Sequence, residues 1–239
     1  MKERVVILGC GESGVGAAIL AVKHHYNVFI SDLGIISSKT KQKLDELGVT
    51  FEEKQHTLNL IKKADTVIKS PGISEDSPLI KDLKTQGVVI ISEIEFAFRH
   101  ISQEAKIRGI TGTNGKTTTS LLTYHLLKEA GFNVALAGNV GYSLARKVAE
   151  KKYDFYVVEI SSFQLDGIIE FKPDISILMN ITPDHLDRYD YNFKRYVASK
   201  FRILENATST SSFIYCEDCS TCLLYTSDAA DEEDSVDLG

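Results

Sequence analysis

Residues 107–120 read IRGITGTNGKTTTS, and the rest of the chain is interpreted around this stretch. An apolar, strand-like entry runs into glycines, then into Lys116 and Thr117, and then into a leucine-rich helical pattern. Glycines let backbone N–H groups surround phosphate oxygens, a lysine reaches the β- and γ-phosphates, and the following hydroxyl ligates Mg²⁺. The leucines of the helical pattern are Leu121, Leu122, Leu126 and Leu127.

This stretch departs from the strict phosphate-loop motif at one place. The pattern G-x-x-x-x-G-K-[ST] requires a glycine where the chain has Ile110, and the glycine is instead Gly109. We interpret the stretch as a variant P-loop that binds ATP with Mg²⁺; the alternative is a glycine turn with an exposed lysine and no ligand. The candidate ATP-binding residues are Gly112, Thr113, Asn114, Gly115, Lys116, Thr117 and Thr118.

The composition is that of an ordinary globular protein. The 239 residues are 43% apolar and 25% charged, which suits one large domain or two modest ones. The start at Met1 lacks the length and flanks of a signal peptide, and no apolar run is long enough to span a membrane. We therefore expect a cytoplasmic enzyme without a membrane partner.

Charge and cysteines are distributed unevenly along the chain. Eight of the 33 acidic residues lie from Glu217 onward, which leaves 25 against 27 basic residues before it. The nearly neutral body predicts no nucleic-acid partner. Cys216, Cys219 and Cys222 form a C-x-x-C-x-x-C pattern that is typical of metal or iron–sulfur sites. No fourth ligand is evident, so we expect no metal there.

A second glycine motif lies near the start of the chain. The pattern G-x-G-x-x-G at residues 9–14 follows the apolar run Arg4–Leu8, precedes a helical stretch, and is followed by a strand that ends at Asp32. This βαβ pattern is typical of dinucleotide sites, where the glycines allow close approach of a diphosphate to a helix N-terminus. An NAD-dependent oxidoreductase and a ligand-free glycine turn are the alternatives.

Strands and helices alternate along the whole chain, which predicts an α/β protein with parallel sheets. We predict a Rossmann-like domain over residues 1–92 and a partial P-loop NTPase-type domain over residues 93–216. Glu159 ends a predicted strand of the second domain, where its carboxylate could reach a Mg²⁺ held by Thr117; the alternative is a solvated acid. By position alone, His185 is an ordinary loop histidine and Lys200 an ordinary surface lysine.

Several ordered motifs together resemble the Mur ligase family over roughly residues 4–216. The motifs are GITGTNGKTT (109–118), GNVG (138–141), VEISSFQL (158–165), NITPDHLDRY (180–189) and ASKFRI (198–203). The segments GCGESGVG (9–16) and SPGI (70–73) favour the family member that adds D-glutamate. The asparagine in TNGK argues against the member that adds alanine.

The resemblance implies an ATP-dependent ligase of peptidoglycan precursor synthesis. ATP would phosphorylate the carboxylate of UDP-N-acetylmuramoyl-L-alanine to an acyl phosphate, which the amine of D-glutamate attacks. The implied catalytic residues are Lys116, His185 and Lys200. The implied Mg²⁺ ligands are Thr117, Glu159, His185 and Lys200, of which Lys200 is carbamylated in the family. The implied contacts to the UDP-sugar substrate are Gly11, Ser13, Gly14, Asp32, Gly72 and Asn139.

The resemblance stops partway through the family's pattern. The family has three domains, and the C-terminal domain, which binds the amino acid, is absent from this sequence. We therefore expect a monomeric fragment that binds the UDP-sugar without turnover. Another Mur or a folylpolyglutamate-type ligase is the alternative, although the latter begins with its ATPase unit. Residues 217–239 are expected to be an unpacked acidic tail that resembles a translated sequencing adapter; a genuine disordered tail is the alternative.

Overall fold

The computed structural model describes residues 2–223, which form two parallel β-sheets with helices packed against them. The elements up to residue 92 are β1 (Arg4–Leu8), α1 (Glu12–Lys23), β2 (Asn27–Asp32), α2 (Ser38–Glu46), β3 (Thr50–Glu53), α3 (Leu58–Ile61), β4 (Thr66–Lys69), α4 (Pro78–Thr85) and β5 (Val89–Ser92). The elements after it are α5 (Glu93–Phe98), β6 (Lys106–Thr111), α6 (Lys116–Glu129), β7 (Val134–Gly138), α7 (Leu144–Glu150), β8 (Phe155–Glu159), α8 (Ser162–Leu165), β9 (Ile175–Leu178), a 3₁₀ turn (Leu186–Tyr189), α9 (Phe193–Phe201), a second 3₁₀ turn (Arg202–Leu204) and β10 (Ser212–Tyr215). The predicted α/β class is confirmed.

The first sheet has the strand order β3-β2-β1-β4-β5. Its central strand β1 is a continuous apolar run, and Val5–Leu8 is fully buried because helices cover both faces of the sheet. The sequence interpretation missed the edge strand β3, since Thr50–Glu53 contains a single large apolar residue. The glycine loop, residues 9–14, follows the carboxyl end of β1. We call residues 2–92 the N-terminal unit.

The second sheet has the strand order β10-β9-β6-β8-β7, with β6 at its centre. All of its strands are parallel, so their carboxyl ends meet at one edge of the sheet. The register pairs Ile110 of β6 and Gly138 of β7 with Glu159 of β8, and it pairs Thr111 with Leu178 of β9. The phosphate loop, residues 112–118, leaves β6 at this edge. We call residues 93–223 the C-terminal unit.

The two units share one hydrophobic core, although the predicted boundary lies between β5 and α5. The largest cluster of buried apolar side chains draws members from both sheets, such as Ile7 and Ile30 on one side and Tyr156 and Val158 on the other. Helix α1 packs so closely on α7 that a Cβ at Gly16 would overlap the Ser143 hydroxyl. The boundary in sequence is therefore not a gap in packing.

Two carboxylates are buried at this junction, both on α5. The Glu95 side chain accepts hydrogen bonds from the backbone N–H groups of residues 169–171 at 2.9 to 3.0 Å. The Glu93 side chain accepts one from the Ala145 N–H at 2.5 Å, at the start of α7. Burial raises the pKa of the Glu93 carboxyl to about 8, and the Glu12 carboxylate adds to that shift. The junction thus contains a polar contact within its apolar core.

Helix α6 forms as predicted, but one of its faces is exposed. It packs on β6, β7 and β8 through residues such as Tyr124 and Leu127. In contrast, Leu121, Leu122 and Leu126 are 47%, 56% and 60% exposed. The leucine repeat therefore predicted the helix correctly, but these three leucines are exposed rather than buried. No helix within residues 2–223 is both long and apolar enough to cross a membrane.

The expectation that the chain is unpacked from residue 217 onward is wrong for Cys219 and Cys222. The Cys222 side chain is fully buried in a cluster with Leu178, Ile181 and Tyr196, and Cys219 packs against the same cluster. The cysteine side chain is small and largely apolar, which explains why these thiols pack there. The prediction for residues 224–239 lies outside the described residues.

Candidate active site

The phosphate loop turns sharply between β6 and α6. Gly112 has φ +145° and Gly115 has φ +83°, which L-residues with a side chain rarely adopt. A Cβ at Gly112 would also lie 2.9 Å from the Cβ of Met179. Thr117 and Thr118 are exposed in the first turn of α6, where N–H groups have no partner within the helix. The loop is therefore shaped as the sequence predicts for a phosphate site.

The loop is held in place by residues that the sequence interpretation did not single out. The Asn180 side chain accepts a hydrogen bond from the Asn114 N–H at 2.9 Å, and its backbone carbonyl accepts one from the Thr113 N–H at 2.9 Å. The Thr113 hydroxyl lies 3.0 Å from the Tyr196 hydroxyl. Asn180 lies within the NITP motif at the end of β9, and this position at the shared sheet edge was the available signal.

Two lysines converge beneath the loop. The Lys116 Nζ donates to the carbonyl oxygens of Gly112 at 2.8 Å and Thr113 at 2.7 Å, and the buried Lys200 Nζ donates to the Gly112 oxygen at 2.8 Å. Burial, followed by repulsion from Lys116, lowers the pKa of Lys200 to about 7. Burial also lowers the pKa of Lys116, against the opposing attraction of Glu159 and Asp184. Position alone had suggested a surface lysine at residue 200, and that interpretation is wrong.

Glu159 lies at the end of β8 with 1% of its surface exposed. Its Oε1 accepts a hydrogen bond from the Asn139 side chain at 2.9 Å, whereas its buried Oε2 has no hydrogen-bond partner among residues 2–223. The alternative of a solvated strand-end acid is therefore wrong. A buried carboxylate oxygen without a partner is costly, and a divalent cation is a fitting partner for it. The residues present therefore fit Mg²⁺ at this position.

The remaining predicted metal ligand is more loosely placed. His185 adopts φ +49° in the loop after β9, and 58% of its side chain is exposed. Its ring contacts Asp184, at 3.6 Å, and Phe163, rather than Glu159 or Lys200. Within residues 2–223, no three His, Cys, Asp or Glu side chains converge to hold a metal by themselves, and Mg²⁺ commonly completes its coordination with waters and substrate phosphates. The side chains of Lys116, Lys200 and Glu159 thus lie at one sheet edge, whereas the His185 ring contacts neither Glu159 nor Lys200.

A cavity of about 440 Å³ lies above the glycine loop. The predicted ligand residues Gly11, Ser13, Asp32 and Gly72 line it. Gly14 lies beneath the loop instead, where a Cβ would overlap the Gly9 carbonyl oxygen. The role of Gly14 is thus to permit the turn. The cavity has the size and position of a small-molecule site at the carboxyl ends of parallel strands.

The side chain of Arg188 links the two units beside this cavity. Its guanidinium donates to the carbonyl oxygens of Pro71 at 3.1 Å and Gly72 at 3.3 Å, and it lies over the Phe163 ring. Arg188 belongs to the NITPDHLDRY segment of the C-terminal unit, whereas the SPGI turn belongs to the N-terminal unit. One side chain therefore fixes the turn beside the glycine loop relative to the loop that carries His185.

Comparisons with known proteins match the chain to one family of ligases. A sequence model of the Mur ligase middle domain matches residues 110–235, and one of the MurD N-terminal domain matches residues 4–79. The chain is 55% identical over 216 residues to the UDP-N-acetylmuramoylalanine–D-glutamate ligase of Bacteroides fragilis, covering 90% of this chain and 48% of that protein. It is 50% identical over 219 residues to the ligase of the same name from Cytophaga hutchinsonii, covering 91% and 49%. The chain thus spans about half the length of the curated relatives it matches.

Solved structures show the same fold at lower identity. The UDP-N-acetylmuramate:L-alanyl-γ-D-glutamyl-meso-diaminopimelate ligase from Neisseria meningitides superposes with a TM-score of 0.65 at 19% identity, covering 96% of this chain and 75% of that one. The UDP-N-acetylmuramate–alanine ligase from Thermotoga maritima superposes with a TM-score of 0.56 at 22% identity, covering 91% and 50%. The middle-domain match alone extends over more than half of the chain, and the chain therefore belongs to the Mur ligase family.

Proposed function

We propose that this chain forms the UDP-sugar-binding and ATP-binding parts of a ligase that adds D-glutamate to UDP-N-acetylmuramoyl-L-alanine in peptidoglycan precursor synthesis. The observation that carries the proposal is the meeting of Lys116, Lys200 and the unpartnered Glu159 oxygen at one sheet edge. These groups suit a nucleotide whose γ-phosphate is transferred. The names of the relatives from Bacteroides fragilis and Cytophaga hutchinsonii support D-glutamate as the amino acid.

The proposed reaction begins with activation of a carboxylate. The bond between the γ-phosphorus and the bridging oxygen of ATP breaks while a carboxylate oxygen of the muramoyl-alanine forms a bond to that phosphorus. The product is an acyl phosphate, and ADP leaves. The amine of D-glutamate then attacks the acyl carbon, loses a proton, and phosphate departs with the electron pair of the broken C–O bond. Phosphorylation is needed because a free carboxylate has oxide as its only leaving group.

The residues of this chain would position and stabilise these groups. The phosphate-loop N–H groups and Lys116 would hold the β- and γ-phosphates. Thr117 and Glu159 would hold Mg²⁺, with His185 and a carbamylated Lys200 as further ligands. When bound, Mg²⁺ neutralises charge on the transferred phosphoryl group. Asn139, whose side chain donates a hydrogen bond to Glu159, would contact the muramoyl part of the substrate.

Carbamylation of Lys200 is part of this proposal. The neutral amine adds to the carbon of CO₂ and loses a proton, which gives a carbamate anion. The burial of Lys200 and its sharing of the Gly112 carbonyl with Lys116 favour the neutral amine. The CO₂ adduct is directly measurable, since ¹³C-labelled bicarbonate should give a carbamate NMR signal that is lost in Lys200→Met.

The test of the proposed activity uses the full-length gene product. Phosphate should be released from ATP only when UDP-N-acetylmuramoyl-L-alanine and D-glutamate are both present. Release with another amino acid or another nucleotide-muramoyl substrate, but not with this pair, would assign a different Mur-type or folylpolyglutamate-type ligase. For the 239-residue chain we propose a monomer in the cytoplasm that binds the UDP-sugar without turnover, and calorimetry with UDP-N-acetylmuramoyl-L-alanine tests the binding.

A further inference from the structure

The cavity above the glycine loop presents an electrostatic problem for the proposed UDP-sugar. Two carboxylates line it, those of Glu12 and Asp32, while no lysine or arginine among the described residues does so. His56 also lines the cavity, but burial lowers the pKa of its imidazole and thus disfavours its charged form. A diphosphate carries negative charge, so it would meet like charge unless both carboxylates are neutralised.

Both carboxylate oxygens of Asp32 accept hydrogen bonds from backbone N–H groups of the N-terminal unit. Its Oδ2 accepts a hydrogen bond from the Cys10 N–H at 2.5 Å, and its Oδ1 accepts one from the Gly34 N–H at 2.6 Å. Both of its oxygens are therefore engaged with the backbone of the loops that they shape. Asp32 acts on the form of the cavity, and two backbone N–H groups stabilise its charge.

The Glu12 carboxylate is paired with groups of the C-terminal unit. The Arg146 Nη1 lies 2.9 Å from Oε2 and 3.1 Å from Oε1 of Glu12, and the Ser143 N–H and hydroxyl lie 3.3 and 3.4 Å from Oε1. Arg146 is itself held by the Tyr142 ring, whose centroid lies 4.7 Å from its guanidinium carbon. The close packing of Gly16 on Ser143 fixes the distance between the two helices that carry these groups.

We propose that Arg146 is a positioning residue of the UDP-sugar site, although it lies in the C-terminal unit. It neutralises Glu12 and holds that carboxylate toward α7, so that the diphosphate can occupy the N-terminus of α1. This inference rests on the proposed function, because it presumes a uridine diphosphate in the cavity. The new element is that tight binding of the diphosphate by the N-terminal unit requires the Arg146 side chain of the C-terminal unit.

The test compares the binding of UDP and uridine by calorimetry with the 239-residue chain. In Arg146→Gln, the freed Glu12 carboxylate should weaken UDP binding roughly tenfold, while uridine binding stays unchanged. The double variant Glu12→Gln/Arg146→Gln should regain UDP binding, because no unpaired charge remains. A residue that only supports the fold would give no such rescue. The control is Lys147→Gln, which removes an equal charge from α7 but has no contact with Glu12.

The outcomes separate this inference from the proposed function. If the unaltered chain binds UDP no more tightly than uridine, the diphosphate site itself is wrong. If it prefers UDP, but Arg146→Gln leaves that preference intact or the double variant is as weak as the single one, only the role of Arg146 is overturned. Glu12→Gln alone serves where Arg146→Gln fails to fold. It should bind UDP at least as tightly as the unaltered chain, and weaker binding would overturn the inference.

Discussion

The Nζ atoms of Lys116 and Lys200 both donate to the carbonyl oxygen of Gly112, each at 2.8 Å. Two ammonium groups on one acceptor repel each other, and burial penalises the charge of both. The structure resolves this by lowering the pKa of Lys200 to about 7, while Lys116 keeps the attraction of Glu159 and Asp184. Near neutral pH Lys200 is thus partly neutral, which reduces the repulsion within the pair.

Lys116→Met should weaken ATP binding. A charge-assisted hydrogen bond contributes about 1.5–3 kcal/mol, so the dissociation constant should rise roughly 10- to 100-fold. Calorimetry with Mg²⁺–ATP measures it, and Lys128→Met, near the other end of α6, provides the control with an equal change in charge. Equal ATP affinity in the Lys116 variant and the control would contradict the assignment of residues 112–118 as a phosphate loop.

Glu159→Gln should weaken the effect of Mg²⁺ on ATP binding without lowering the stability of the fold. The Gln side chain can still accept the Asn139 hydrogen bond, and the substitution removes a buried charge, so we expect the melting temperature to be maintained. The gain in ATP affinity on adding Mg²⁺ should shrink, because one ligand oxygen has become an amide nitrogen. Titrations with and without Mg²⁺ measure this gain. An unchanged gain would show that Glu159 is not a ligand; Glu129→Gln, on exposed α6 surface, is the control.

Glu93 should make stability depend on pH. Its pKa is raised to about 8 in the folded protein, so between its ordinary pKa and about 8 the folded state binds the extra proton. The stabilisation is complete below pH 4.5 and is lost as the pH rises through about 8, with a slope of at most about 1.4 kcal/mol per pH unit. Glu93→Gln should flatten the dependence of urea unfolding on pH. A slope equal to that of the unaltered chain would contradict a buried, protonated Glu93.

Two alanine substitutions in the glycine loop should affect different properties, one the stability of the fold and the other the binding of UDP. Gly14→Ala places a methyl group against the Gly9 carbonyl oxygen and should lower stability by about 1–3 kcal/mol, as overpacking does. Gly11→Ala meets no atom within 4 Å at ordinary φ, so the fold should tolerate it while the methyl group intrudes on the cavity and weakens UDP binding. Thermal melts and UDP titrations distinguish the two variants. Similar melting temperatures would contradict the different roles.

The strand ends could be predicted from the sequence because local patterns determine them. Apolar runs followed by glycine or acidic residues predicted the phosphate loop, the glycine loop and the position of Glu159. The supports of these loops could not be predicted, because they come from distant parts of the chain. Asn180 holds Asn114 across 66 residues, and Arg146 holds Glu12 across 134. No local pattern encodes such pairs, since they arise only when two strands or two units meet.

Burial of charge was the other feature that the sequence did not predict. Lys200 and the two glutamates of α5 belong to residue types that are almost always exposed, and for Lys200 position alone had suggested a surface role. Each of these side chains is buried beside a hydrogen-bond partner. The partner is the Gly112 carbonyl for Lys200, and backbone N–H groups for Glu93 and Glu95. These partners lie on other elements, and their presence can be known only from the fold.

The shared core between the two sheets has a consequence for how the protein unfolds. Separating the units would open the cluster of buried side chains to which Ile7 and Tyr156 both belong, and it would part Glu12 from Arg146. Partial unfolding of either unit alone is therefore costly, and both should melt in a single calorimetric transition. The first sheet ends at residue 92, but the residues on both sides of that position should unfold together as one cooperative unit.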